Sequence, residues 1–210
     1  ASSVTVNAGG TLSGTGIVDP VTTTIMSGGT LAPGNASNPT GTLTITGNLA
    51  FQSGAVYLVQ VTPSGAASTN VSGTASLAGS VQAVLAPGSY RKQSYDILHA
   101  SGGLGDTTFN STSVGNPNFA GSLSYGATDV FLNLTASLGG GTGLNQNQQN
   151  VASAINNFFN SGGTLPPNFG GLFGLTGSSL ANALTQLDGE AATGNRRAVF
   201  QLTDEFLELM

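Results

Sequence analysis

Any chemistry in this chain would have to be built around one imidazole. His99 is the single histidine, and a nucleophilic triad or a metal site normally needs such a base or ligand with a carboxylate in support. Asp96 and Asp106 are its neighbours in sequence, and serines surround them, but serine is common everywhere in this chain. His99 therefore reads as a strand or turn residue. The other acids considered, Asp19, Asp129, Asp188 and Glu190, are scattered singly. Two carboxylates meeting in a groove would suit glycoside hydrolysis. Grooves of that kind usually carry basic residues as well, and the whole chain has four Lys and Arg. The carboxylates read as turn caps and solvated charges.

Other sites fare no better. There is no Asp-rich nonapeptide of a calcium-binding roll. The clusters Gly14-Thr15-Gly16 and Gly139–Gly143 lack the strand-to-helix setting of a phosphate loop. Asn35, Asn70, Asn110 and Asn133 each open an Asn-x-Ser/Thr sequon, which a chain this rich in Ser, Thr and Asn produces by chance. The sequence assigns no catalytic residue, no cofactor and no metal, and the protein is expected not to be an enzyme.

Composition narrows the class. Charged residues are 6% of the 210, against roughly a quarter in an ordinary soluble domain. Hydrophobic residues make up 39%, so the chain is expected to fold, with a coat of hydroxyls and amides. A net charge of −5 leaves no Lys/Arg patch for nucleic acid or for an anionic membrane surface. The lack of cysteine excludes disulfides and thiolate zinc sites, and it fits a chain exported unfolded. No apolar run reaches the ~18–20 residues of a membrane helix. Ala1–Val6 reads as the middle of a strand rather than a signal peptide, so the chain is expected to be part of a longer one.

The elements that would position any site follow from a repeat. Ala8-Gly9-Gly10-Thr11-Leu12-Ser13-Gly14 returns as Ser27-Gly28-Gly29-Thr30-Leu31-Ala32-Pro33-Gly34, 19 residues on. Short alternating runs at a fixed period, separated by glycine corners, are the signature of a solenoid. Residues 1–87 read as such rungs, with turns at Gly9, Gly10, Gly28, Gly29, Pro33 and Gly34. Pro33 and Pro39 are expected in loops. Rungs of about 20 residues over 1–136 would give about six or seven turns, with Leu12, Leu31, Leu43, Ile45, Tyr57, Val59 and Val61 pointing inward.

Residues 88–138 change to longer, aromatic runs. An open solenoid end exposes both a strand edge and a face of core, so this stretch reads as a cap. Its candidate plugging residues are Tyr95, Ile97, Leu98, Phe109, Phe119, Leu123, Tyr125, Val130, Leu132 and Leu134. Residues 139–144 read as a glycine-rich linker. Residues 145–210 read as helices. One carries Val151, Ile155, Phe158 and Phe159 on one stripe and stops at Ser161-Gly162-Gly163. A second, capped by Ser178 or Ser179, carries Leu180, Ala183, Leu184 and Leu187, and a third begins near Ala191.

Together these segments resemble the C-terminal passenger region of a Gram-negative autotransporter (type V secretion). Gly28–Asn35 followed by Gly41–Leu49 is similar to the passenger-associated repeat, and Ser53–Val61 to the strand after it. Tyr95–Leu104 with Phe109 resembles the autochaperone segment, and Leu123–Leu134 its closing strands. Leu187-Asp188-Gly189-Glu190-Ala191 is similar to the Leu-Ser-Gly-Glu motif before the translocator barrel, with Asp188 in place of Ser. The resemblance implies an all-β right-handed parallel β-helix with an aromatic C-terminal cap, followed by short α-helices leading to a barrel absent here. It implies a non-enzymatic stem that supports passenger secretion and folding. The implied location is the outer membrane and cell surface of a Gram-negative bacterium, reached through the periplasm. Its partners would be the chain's own C-terminal outer-membrane β-barrel and the outer-membrane assembly machinery. Two other functions stay open on the residues alone: a surface adhesin or biofilm scaffold binding glycans or cells, and a carbohydrate-active β-helix enzyme.

Overall fold

A computed structural model describes residues 2–140 and 143–188. Runs rich in Thr, Val, Ile and Leu become strands because branched and aliphatic side chains pack well on a pleated surface. The first turn of the chain contains β1 (Ser3–Val6), β2 (Thr11–Gly14) and β3 (Ile17–Val18); the second contains β4 (Thr22–Ile25), β5 (Thr30–Pro33) and β6 (Thr42–Ile45). The third has β7 (Asn48–Phe51), β8 (Val56–Thr62), the short β9 (Gly65–Ala66) and β10 (Ser68–Val71). The fourth has β11 (Ala75–Ser76), β12 (Ser80–Leu85) and β13 (Ser94–Ala100). Then follow β14 (Ser111–Val114), β15 (Phe119–Tyr125), β16 (Asp129–Ala136), helix α1 (Gln146–Asn160), a 3-10 segment (Pro167–Gly174) and helix α2 (Gly177–Leu187).

Up to β13, and apart from β9, successive strands go to three sheets in rotation. One sheet has the order β1-β4-β7-β11, a second β2-β5-β8-β12-β14, and a third β3-β6-β10-β13-β16-β15. Pairing between turns is parallel throughout the first two, apart from the small β9 arm on β8 and a single antiparallel bridge between Gly14 and Gly34. The result is an all-β, solenoid-like stack with few helices. Odd and even residues alternate between the shared interior and solvent, as in the buried Tyr57, Val59 and Val61 of β8. Leu31, Leu43 and Ile45 are buried as expected, whereas Leu12 is only half-buried because β2 lies at the edge of its sheet.

The period is where the sequence misleads. Ser3 pairs with Thr22, a step of 19 residues, but Thr22 pairs with Asn48 and Leu49 with Ala75, steps of 26. The 34–41 loop lengthens the second turn and the β9 arm the third, so the first sheet holds four strands and the stack has fewer, longer turns than six or seven. Pro33 is the last residue of β5 rather than a loop residue. The run from Ser76 to Leu85 is broken between β11 and β12. Gly79 sits there at φ +74°, and a Cβ on it would lie 2.2 Å from the Ala55 carbonyl oxygen. The close approach of one turn to the next requires glycine at this corner.

At the C-terminal end the parallel rule gives way. β13 takes β10 as a parallel neighbour on one side and β16 as an antiparallel one on the other. β15 and β16 form an antiparallel hairpin. Between Asp96 and Leu98 the β13–β16 register shifts, a bulge with Ile97 as the extra residue. Ile97 and Leu98 consequently both face the interior, and Asp96 and His99 both face out. The displaced Ile97 carbonyl accepts a hydrogen bond from the Tyr57 hydroxyl, whose oxygen also lies 3.0 Å from the Thr69 hydroxyl. Tyr57 is fully buried, and burial raises its hydroxyl pKa far above the usual tyrosine value. A neutral core phenol thus fastens the third turn to the bulge. Tyr57→Phe should cost about 1–3 kcal/mol, because the bulge carbonyl is left unpaired in the core. Urea unfolding monitored by far-UV circular dichroism will measure the change.

Candidate functional site

Two groups of residues compete for attention, a polar group on the outer face of the β13–β16 junction and the cap itself. In the first, His99 Nδ1 and Asp129 Oδ1 are 2.6 Å apart, and Thr128 Oγ1 donates to Asp129 Oδ2 at 2.6 Å. The carboxylate supporting His99 is therefore Asp129, across the antiparallel pairing, rather than Asp96 or Asp106. No local spacing could have found it, because the register of β16 on β13 decides it. Hydrogen bonds from Thr128 and His99 hold Asp129 below the usual carboxylate range. Burial, followed by repulsion from Asp129, pushes Asp96 up. His99 remains 43% exposed, and its register neighbour on β10 is Asn70. The arrangement can orient an imidazole; its other neighbours across the sheet are an amide and Thr44 on β6.

The remaining sequence candidates are dispersed. Asp19 accepts from the Thr46 hydroxyl, and Asp106 is a turn residue at φ 57°. Of the sequon asparagines, Asn35 and Asn133 spend their side-chain amides on Thr15, Ser124 and nearby backbone or hydroxyl groups, while Asn70 and Asn110 are exposed. Among the described residues no group of three or more His, Cys, Asp or Glu could hold a metal ion. No helix among them is long and apolar enough to cross a membrane.

The cap brings its candidates together. Tyr95, Ile97, Leu98, Phe109, Phe119, Val130, Leu132 and Leu134 are buried, and Leu123 and Tyr125 pack half-buried against the same core. Phe109, in the loop after β13, inserts beside Phe51 and Tyr57 with ring centroids 5.1 and 5.9 Å away. Its backbone N–H donates to the Tyr125 hydroxyl at 3.0 Å, which ties that loop to the hairpin. A second cluster centres on Phe119, with centroids 4.6 Å from Phe173, 5.5 Å from Tyr90 and 5.8 Å from Phe159. Such tilted and offset ring pairs add to the area they bury.

Helical residues complete this end. In α1, Ile155 and Phe159 are buried as expected, but Phe158 is 50% exposed and Gln148 and Ala152 occupy the inner stripe instead. The Asn145–Gln148 capping box starts the helix, a signal not read from the sequence. Helix α2 begins after Thr176, with no side-chain hydrogen bond at its cap, rather than at Ser178 or Ser179. Leu180 and Leu184 are buried, whereas Leu187 is exposed. Gly189, Glu190 and the helix expected from Ala191 lie outside the described residues. Leu138 and Leu144, which flank the glycine-rich stretch, are both buried.

What the sequence hid is how the stretch of β16 beyond β13 is paired. β13 begins at Ser94, opposite Asn133 of β16, so residues after 133 have no strand on that side. Two asparagines on α1, one helical turn apart, stand in for it. Asn160 Oδ1 accepts from Ala136 N–H at 2.8 Å and its Nδ2 donates to Ala136 O at 3.1 Å. Asn156 does the same for Leu138, at 2.8 and 3.1 Å. Helical i, i+4 spacing matches strand i, i+2 spacing closely enough for primary amides to imitate a neighbouring backbone. Lys92 Nζ donates to the Asn160 carbonyl at 2.6 Å, placing a cation at the helix C-terminus, where the dipole favours it. Asn118 Nδ2 donates to the Phe173 and Leu175 carbonyls and holds the 3-10 segment down.

A scan against protein-family models and a search of curated proteins give no match to this chain.

Replacing both Asn156 and Asn160 by Ala should cost ~2–4 kcal/mol, from two pairs of backbone groups losing partners. It should also expose a pairing edge, read as concentration-dependent oligomers in light scattering. The junction's pH behaviour has opposite signs at its two acids. Stability from Asp129 is present at neutral pH and fades as pH falls through its lowered folded-state pKa. The contribution of Asp96 is present in acid and lost as pH rises through its raised pKa. Asp129→Asn should therefore destabilise by under ~1 kcal/mol at neutral pH and Asp96→Asn should stabilise slightly. The Asp96→Asn difference should fade in urea titrations as pH falls below the ordinary carboxylate range, and the Asp129→Asn difference only at lower pH, beneath its lowered pKa.

Proposed function

We propose that this chain is the non-enzymatic stem of an autotransporter passenger, a right-handed parallel β-helix whose C-terminal turns serve as a folding template at the outer membrane of a Gram-negative bacterium. The observation that carries the reading is the change of pairing at the C-terminal end of the stack. There, parallel pairing is exchanged for the antiparallel β15–β16 hairpin, and aromatic rings, α1 and the 3-10 segment cover the core. The parallel stack is thereby closed on its C-terminal side.

Outside the outer membrane there is no ATP, so free energy from folding must retain the emerging chain. Solenoid stability is close to a sum of turn and nearest-neighbour terms, with nucleation costly and propagation easier. A C-terminal unit that folds first supplies a finished strand edge, and each preceding turn then adds to it. The translocator barrel and the outer-membrane assembly machinery are the partners of this reading. Such a template needs no reacting group, and the polar junction at His99 then has only a structural part.

The test is surface display of the full-length parent, scored by protease resistance of the exported passenger. Phe119→Ala and Phe109→Ala should each weaken the cap by ~3–5 kcal/mol and leave the passenger protease-sensitive. Tyr125→Ala should cost less, because its ring is half-buried. His99→Ala, Asp96→Ala and Asp106→Ala should leave display intact. Normal display after loss of Phe119 and Phe109, or loss of a measurable activity on changing His99 alone, would overturn the proposal.

A further inference from the structure

The second sheet carries a groove that the stem function does not use. Residues 20–90 contain no Asp, Glu, Lys, Arg or His, so this whole stretch of surface is electrically neutral. Most of its outer faces are open strand surface, but the 34–41 loop folds up beside the second sheet and walls off a groove of about 420 Å³. That is within the usual range for small-molecule sites.

The wall is pre-formed. Asn35 Oδ1 accepts from the N–H groups of Ser37 and Asn38 at 3.0 and 2.8 Å, its Nδ2 donates to Thr15 Oγ1 at 3.3 Å, and the loop closes with Gly41 N–H on Asn38 O at 3.1 Å. Gly34 makes the bend at φ +91°, where a Cβ would lie 2.3 Å from the Pro39 carbonyl oxygen. A rigid wall loses little entropy when a ligand arrives.

The floor alternates in character. Ala32 and Leu58 present half-buried apolar surface, and Ser13 and Gln60 present polar groups on either side of it. No described residue hydrogen-bonds the Ser13 hydroxyl or the Gln60 amide. A purely apolar ligand would strip water from these groups without replacing it, at about 1–3 kcal/mol each. A charged ligand would find no counter-charge. A sugar ring meets both conditions, with a C–H face for Leu58 and Ala32 and hydroxyls for Gln60 and Ser13.

We propose that this groove binds a neutral glycan, one or two sugar rings lying across Leu58 with a hydroxyl on the Gln60 amide. The binding stands apart from the stem function and does not depend on it.

The 210-residue chain is titrated against a panel of immobilised neutral oligosaccharides, including N-acetylhexosamine, galactose and mannose oligomers, with sialylated and sulfated versions as charged controls. Binding should favour the neutral sugars and should not change from low to high salt. Gln60→Ala should weaken it about tenfold, the loss of one good hydrogen bond, and Leu58→Glu should abolish it. Gln82→Ala, on the same sheet but outside the groove, should leave it unchanged. In the unmodified chain the amide resonances of Ser13, Ala32, Leu58 and Gln60 should shift on titration, a readout that does not depend on any variant folding. Absence of binding to every neutral sugar, preference for the charged versions, or equal effects of Gln60→Ala and Gln82→Ala would overturn the proposal. None of these results bears on passenger display, so the two proposals fail separately.

Discussion

Everything in this molecule answers to one constraint: a parallel stack of strands has no natural end. Each turn satisfies half its backbone groups on the turn below and half on the turn above, so the terminal turn always presents a row of unpaired N–H and C=O groups. Here the C-terminal solution comes in three layers. Parallel pairing is turned over into the β15–β16 hairpin. The open face of core is filled by Phe119, Phe159, Phe173 and Tyr90. The segment of β16 edge that β13 does not reach is closed by the amides of Asn156 and Asn160.

The bulge at Ile97 links these layers to the body of the stack. One extra residue puts two neighbouring aliphatic side chains inside and turns Asp96 and His99 outward together. It also aims a backbone carbonyl into the core, where the Tyr57 hydroxyl meets it. The same irregularity therefore creates the buried polar contact and gathers the ionisable residues on the surface. His99 and Asp129 look like the start of a catalytic site when taken alone. In context they are the outer side of the joint at which the sheet changes direction.

The legibility of the sequence follows the range of the interaction. Alternating runs such as Tyr57–Val61 reveal their inward residues because the pleat fixes them locally. The glycine corners and the change to aromatic residues after 88 likewise point to rungs and a cap. The turn length did not follow from the 19-residue repeat, because the 34–41 loop and the β9 arm are insertions at corners that leave the alternation untouched. The residues near His99 in sequence do not reveal Asp129, because that partner is fixed by strand register. The roles of Asn156 and Asn160 were invisible for a similar reason. On a helix they read as solvent-facing polar residues, and only the docking of α1 against β16 makes them part of a sheet.

If the cap sets the stability of the stack, hydrogen exchange in the full chain must be graded along it. Native-state exchange at residue resolution measures this directly. Protection should be highest in β8, β12, β13 and β16, and should fall turn by turn to β1, β2 and β3, with Phe119→Ala lowering the protection of every turn. Uniform protection along the stack, or protection highest in β1–β3 and unaffected by Phe119→Ala, would contradict a template at the C-terminal end.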